Sequence, residues 1–161
     1  MDNNDKIKIA HPNCSYRIRP ASLKDLDEIY QIELMSFKDA YPISLLHQLL
    51  RDHDAICLII EVGRKVVGFA FGLMRSENRG HIISVAVHPQ YRNCHFGTTL
   101  VDRLISALKQ RGARIIALEV RISNKIAQKL YRKFRFQIQK TKYHYYSDGE
   151  NAYFMVLKLN S

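Results

Sequence analysis

The segment VAVHPQYRNCHFGTTLVDRL, residues 85–104, carries the densest chemical signal in the sequence. A run of apolar residues feeds a short loop, and the loop opens directly into an amphipathic helix. Amides at a helix start lack intrahelical partners, and the aligned peptide dipoles add positive potential there. Such a junction suits a phosphate or another anion. Arg92 and His95 add cationic side chains to it. By themselves these residues are equally compatible with an ordinary strand-to-helix loop. Other reactive side chains stand apart in sequence: Asp39 in a loop, His81 at a strand start, Glu119 late in a strand, and Asn124 and Tyr131 on a helix. Asn124 also reads as an N-cap, and Tyr131 as a core aromatic.

The elements that must position them follow from periodicity. Tyr16 to Arg19 alternates and predicts a short strand. PASLKDLDEIYQIELMSF predicts a helix with Ser22 as N-cap and Leu23, Leu26, Ile29, Tyr30 and Phe37 at helical spacing. Pro42 breaks the chain, and Ser44 to Arg51 predicts a second short helix. Ala55 to Glu61, Lys65 to Met74 and His81 to Val87 read as strands, the first two joined by a hairpin turn at Gly63-Arg64. Gly68 and Gly72 mark bulges or a close backbone approach. Gly97 to Arg111 is amphipathic, with Leu100, Val101, Leu104, Ile105 and Leu108 on one face and Gly112 as its stop. Arg114 to Val120 is a strand, Asn124 to Phe134 a helix, and Phe136 to Tyr146 and Tyr153 to Leu159 are the last strands. The order is β-α-α-β-β-β-α-β-α-β-β. Strand–helix–strand from His81 to Val120 implies a right-handed crossover and a parallel pair within an otherwise antiparallel sheet. The fold class is α/β, with a mixed sheet covered by about four helices.

Composition narrows the setting. The 161 residues are expected to form one domain over residues 15–161, preceded by a flexible polar segment over residues 1–14. No apolar run is long enough to span a bilayer, and the N-terminus lacks a signal-peptide core. The expectation is a cytoplasmic protein without a membrane role. Three cysteines, Cys14, Cys57 and Cys94, without CxxC spacing argue for thiols over a disulfide framework or a zinc site. The net charge of +10 is uneven: residues 1–100 hold 12 Lys/Arg and 11 Asp/Glu, residues 101–161 hold 13 and 4. A basic half suggests an anionic partner. Nucleic acid, a phosphate-rich cofactor and a ribosome-associated substrate all fit. A nucleic-acid surface would interleave exposed aromatics with the cations. The basic helix offers only Tyr131, which points inward by periodicity, so nucleic acid is not the expected substrate. Lys125, Lys129, Arg132, Lys133 and Arg135 read first as a solvated face.

Five segments together resemble the GNAT acetyltransferases, closest to the RimI and archaeal-type protein N-terminal acetyltransferases. Arg92-Asn93-Cys94-His95-Phe96-Gly97 is similar to the Q/R-x-x-G-x-G/A signature, with His95 in place of the middle glycine. GHIISVAV resembles the family's fourth strand. LEVRISNKIAQKLYRKFRF resembles LEVRxSNxxAxxLYxKxGF, departing at Arg135. YYSDGENAYFM resembles YYxDGExAYxM, and FKDAYP resembles a substrate loop often written LPENYP. The likeness runs from about Tyr16 to Leu159.

The resemblance implies a GNAT fold splayed between the fourth and fifth strands, and acetyl-CoA as co-substrate with no metal. It implies that the acetyl-pantetheine arm bonds main-chain groups of Val85, Ala86 and Val87, with Val87 N–H polarising the thioester. Arg92, Asn93, Cys94, His95, Phe96, Gly97 and Thr98 would cradle the pyrophosphate. Asn124 would hold the arm from the other strand, and Tyr131 would protonate the departing thiolate. His81 is the leading base for the amine, with Asp39 sharing that duty or binding the amine, and Glu119 orienting water. Asp39 also reads as a cap for the helix after Pro42. Tyr41 and Tyr146 would wall the peptide site, with Tyr143, Tyr145 and Tyr153 as weaker candidates. Cys94, in the cofactor loop, does not suit a covalent acyl intermediate. The implied function is direct acetyl transfer to the N-terminal α-amine of proteins or peptides, ribosomal or nascent chains among them. The alternatives are a GNAT enzyme of a small amine such as a polyamine, and a CoA-binding sensor without catalysis. Oligomeric state is not legible.

Overall fold

Branched apolar runs become strands and the 3.6-residue patterns become helices. The computed structural model describes residues 15–160, so the expectations for residues 1–14, including Cys14, lie outside the described residues. The elements are β1 (Arg17–Pro20), α1 (Leu26–Ser36), α2 (Ile43–Arg51), β2 (Ala55–Val62), β3 (Lys65–Ser76), β4 (Arg79–Val87), α3 (Phe96–Gln110), β5 (Ile115–Arg121), α4 (Lys125–Lys133), β6 (Gln137–Lys142) and β7 (Ala152–Lys158). Their order is the expected one. Two boundaries need correction. Ser22 opens a 3₁₀ turn over Leu23–Asp25, and the first α-helix begins only at Leu26. The strand expected to reach Tyr146 ends at Lys142, because Tyr143 to Asn151 form a turning loop with His144 and Gly149 at positive φ.

The seven strands form one sheet in the order β1-β2-β3-β4-β5-β7-β6. All neighbours are antiparallel except β4 and β5. One face packs against α3 and α4 through Leu100, Leu104, Leu108, Ile116, Leu118 and Met155. The other packs against α1 and α2 through Ile29, Ile32, Leu46, Ile59, Phe69 and Phe71. Gly68 and Gly72 do mark a close approach. A Cβ at Gly68 would stand 2.9 Å from Ile60, and one at Gly72 would stand 2.9 Å from Leu104 of α3.

Strand pairing opens where the chemistry is expected. β4 and β5 pair only at Arg79–Ile115, Gly80–Ile116 and His81–Ala117. Beyond that, β4 stays with β3 to Val87, and β5 stays with β7 to Arg121. The inner edges of both strands therefore expose unpaired main-chain groups to a widening gap. Two bulges shape its rim. The register steps from Phe71–Ser84 to Gly72–Ile82, leaving Ile83 as an extra residue on β4. It steps again from Met74–Gly80 to Ser76–Arg79, leaving Arg75 as an extra residue on β3. Bulges twist a strand and re-aim its side chains.

Two positions where glycine is common in the resembling family carry left-handed backbone without it. His95, N-cap of α3, has φ 62°, and Arg135, just past α4, has φ 71°. Left-handed backbone costs an L-residue roughly 1–2 kcal/mol, part of which glycine returns as unfolded-state entropy. His95→Gly and Arg135→Gly should each stabilise the fold by about 0.5–1 kcal/mol, read as a higher denaturation midpoint at unchanged m-value.

Candidate active site

A cavity of about 480 Å³ fills the gap and reaches both faces of the sheet. Its walls come from α1 and the α1–α2 loop, the end of β3, β4, β5, α4, and the end of β6 with the β6–β7 loop. β5 sends Leu118 and Val120 into the α3/α4 face. Strand alternation sends Glu119 and Arg121 to the opposite face.

His81 and Glu119 bridge the two strands just where their main chains part. His81 Nε2 lies 2.7 Å from Glu119 Oε2, and Lys142 Nζ lies 2.6 Å from Oε1. Burial would raise the Glu119 carboxyl, but the hydrogen bonds and charges of His81 and Lys142 win and lower it to about 2. When the ring is neutral, an ionised Glu119 takes its hydrogen bond from Nε2–H, and that tautomer leaves the lone pair on Nδ1. Among the described residues no cluster of three His, Cys, Asp or Glu side chains is placed to hold a metal.

Tyr131 is buried, lines the same cavity, and meets Phe136 edge-to-face at 5.7 Å. Burial pushes its phenol up to about 12. Asn124 is the N-cap of α4, its Oδ1 accepting from Ala127 N–H at 3.1 Å. That leaves the amide nitrogen as a donor. The cap role and a place on the cavity wall coexist in one residue.

Main-chain alternation corrects one expectation. His88 N–H bonds the Val67 carbonyl of β3 at 2.7 Å. By alternation Ala86 also turns its main-chain groups toward β3, while Val85 and Val87 turn theirs into the gap. Ala86 buries its methyl group in the α1/α2 core instead. The Val87 carbonyl is already taken by Arg92 Nε at 3.1 Å, leaving its N–H. Farther along, the first bond of α3 runs from Thr99 N–H to the His95 carbonyl, 3.0 Å. The amides of Phe96, Gly97 and Thr98 precede it and form the open end of the helix. A Cβ at Gly97 would meet only Leu130 at 3.7 Å. The protein's own packing therefore tolerates a side chain at Gly97, and the space it leaves is free for a ligand approaching the amides.

Asp39 does not stand as an available base, nor does it cap α2, whose N-cap is Pro42. Its Oδ2 pairs with Arg121 at 2.8 Å and accepts Ser147 N–H at 3.2 Å, while Ser147 Oγ donates to Oδ1. Arg121 also pairs with Asp148 at 2.9 Å and Glu150 at 2.8 Å, and lies 4.0 Å over the Tyr146 ring. This one guanidinium fastens the α1–α2 loop to the SDGE turn. Tyr41 and Tyr146 then face the cavity from those two loops. Burial pushes Tyr41 up to about 12 and raises Tyr146 as well. Tyr145 also lines the cavity and meets Tyr146 edge-to-face at 5.0 Å.

Sequence reasoning missed the four other charged wall residues, Glu33, Arg75, Arg121 and Lys142. Glu33 is 1% exposed, accepting from Tyr41 N–H at 3.1 Å and Ser84 Oγ at 2.9 Å. Burial raises its carboxyl against those two hydrogen bonds. The signal was present: Glu33 follows Ile29 and Ile32 on the inward face of α1, where a carboxylate needs a reason.

Residues 23–136 match the family model described as the acetyltransferase (GNAT) family. The chain is 36% identical over 156 residues to an N-alpha-acetyltransferase of Sulfurisphaera tokodaii, covering 89% of this chain and 93% of that one. Among solved structures it is similar to Ard1 from Thermoplasma volcanium, with a TM-score of 0.85 and 30% identity, covering 91% and 99% of the two chains. It is also similar to the ribosomal-protein-S18-alanine N-acetyltransferase from Escherichia coli, with a TM-score of 0.84 and 25% identity, covering 91% and 96%. The parting of β4 from β5, with an open helix end at one side and a bridged histidine at the other, thus has its explanation in descent: the chain belongs to the GNAT acetyltransferase family.

Proposed function

We propose that this protein transfers the acetyl group of acetyl-CoA to the N-terminal α-amine of proteins or peptides. The observation that carries the reading is the two-sided gap. His81 and Glu119 open on the face closed by the Arg121 clasp, while Tyr131 and Asn124 open on the α3/α4 face. The relatives named as N-alpha-acetyltransferases support the same substrate class.

In this reading the pyrophosphate lies on the amides of Phe96, Gly97 and Thr98, flanked by Arg92, Asn93, Cys94 and His95. The pantetheine arm runs along β4 and bonds Val85 and Val87, with Asn124 holding it from the other side. The α-amine enters past Tyr41 and Tyr146. An amine attacks only when neutral, and its pKa near 8 leaves a modest base enough to do. His81 Nδ1 takes the proton, directly or through water, with anionic Glu119 behind the ring. The acetyl carbon becomes tetrahedral, and an N–H of the β4 edge stabilises its oxygen. The C–S bond then breaks, and the Tyr131 hydroxyl faces the departing sulfur. Asp39 acts as a loop fastener. No step needs a metal or an acyl-enzyme. We place the reaction in the cytoplasm, on ribosomal or nascent chains among other N-termini. Among the described residues no helix is long and apolar enough to cross a membrane.

The test is a competition assay with acetyl-CoA. The expected acceptors are free N-termini, favoured over a lysine side-chain peptide blocked at its own α-amine and over spermidine. The α-amine's pKa is about 2.5 units below that of lysine, which alone favours it strongly near pH 7. Equal rates on spermidine or the lysine peptide would refute the N-terminal assignment.

A further inference from the structure

The charges lining the cavity are matched with one exception. Glu119 is held by His81 and Lys142, Asp39 by Arg121 and Ser147, and Glu33 by Tyr41 N–H and Ser84. Arg121 and Lys142 are spent on those carboxylates and on the SDGE turn. Arg75 lines the same cavity, is exposed, and makes no hydrogen bond or ion pair among the described residues. It is the extra residue of the bulge between Met74 and Ser76 on β3, an irregularity that turns a side chain out of the regular alternation. Its charge reaches the phenols of Tyr41 and Tyr145, opposing the burial that raises both. An unmatched cation thus stands among the aromatic walls of the acceptor slot.

We infer that Arg75 is a specificity-determining residue that selects acceptors carrying a carboxylate side chain within the first three residues of the peptide. The inference rests on the proposed α-amine acetylation and deepens it. The carboxylate belongs to the acceptor and not to a coenzyme phosphate. Arg75 stands beside the start of β4, opposite Arg79 and Gly80, whereas the phosphate loop follows Val87 at its far end. Seven residues of strand separate them by roughly 20 Å. Arginine offers a planar fork of donors that matches a carboxylate, and the same charge repels a lysine or polyamine at that place.

The experiment uses the full-length protein, acetyl-CoA and peptides with a free α-amine. The peptides are identical except for one Glu, Gln or Lys placed at position 1, 2, 3 or 6. Wild-type kcat/KM should be three- to tenfold higher for Glu than for Gln at one or more of positions 1 to 3. It should be lowest for Lys and indifferent at position 6. The Glu/Gln ratio should shrink toward one in 0.5 M NaCl, because the pair is exposed and screened. Arg75→Gln should bring that ratio to about one, and Arg75→Glu should invert it in favour of Lys. Each ratio is taken within one variant, so a change in overall rate does not enter it. A wild-type enzyme that acetylates the Glu and Gln peptides equally at all positions overturns the inference and leaves α-amine acetylation standing. So does a preference that survives in Arg75→Gln. A wild-type enzyme that acetylates none of the peptides overturns the acceptor reading itself, and the Arg75 inference with it.

Discussion

Tyr131→Phe is expected to lower kcat by roughly 10²- to 10⁴-fold with little change in stability. The substitution removes one hydroxyl and leaves the ring against Phe136. Burial keeps that phenol protonated to about pH 12, so it is a hydrogen-bond donor throughout the working range. A coenzyme thiol is far more acidic than such a phenol, near the pKa of about 8.5 for a free cysteine. The phenol therefore serves best by donating into the negative charge growing on sulfur as the C–S bond breaks, with completed transfer the less favourable event. Single-turnover acetylation of a peptide reads the chemical step directly. Unchanged single-turnover rates would reduce Tyr131 to packing. KM for acetyl-CoA should stay nearly constant, since the interaction strengthens only as charge develops. Thermal denaturation of both proteins separates this result from unfolding.

The linear pattern carried the scaffold well because each element obeys its own period. α3 shows five core residues on one face, and β5 reads as a short branched run between two helices. The GHIISVAV and LEVR segments placed His81 and Glu119 on neighbouring strands, and their contact follows from the parallel pairing. What stayed illegible is what depends on pairing between distant segments. Asp39 and Arg121 are 82 residues apart, and nothing near Asp39 tells that its charge is already spent. Lys142 on β6 lies opposite Ala152 of β7, which lies opposite Arg121 of β5, so its ammonium reaches Glu119 across an intervening strand that is last in sequence. Arg75 is aimed by a bulge, and a bulge shifts register without leaving a period of its own. Ala86 is a different case. Three consecutive strand residues cannot all turn main-chain groups to one side, so alternation alone would have removed it. Glu33 was equally open to inference, as a charged residue on a buried helix face.

His81→Ala is expected to lower kcat/KM by roughly 10²- to 10⁴-fold, the range for loss of a general base. Glu119→Gln should cost about 10- to 100-fold, because a charge-assisted hydrogen bond of about 1.5–3 kcal/mol to the forming imidazolium is lost. The two residues act as one unit, so the double variant should be little slower than His81→Ala alone. Additive losses would mean that Glu119 works without His81, through its own water or through the acceptor. A second readout comes from stability against pH. Glu119 has a folded pKa lowered from 4.5 to about 2, so its contribution is fully present above about pH 4.5 and is lost as pH falls through 2. In that window the wild type should lose stability that Glu119→Gln does not lose, by up to roughly 3 kcal/mol on linkage grounds. Denaturant midpoints measured from pH 5 down to pH 2.5 decide it. Parallel curves for the two proteins would mean that Glu119 is not held ionised by His81 and Lys142, and its part in the base pair would fall with that.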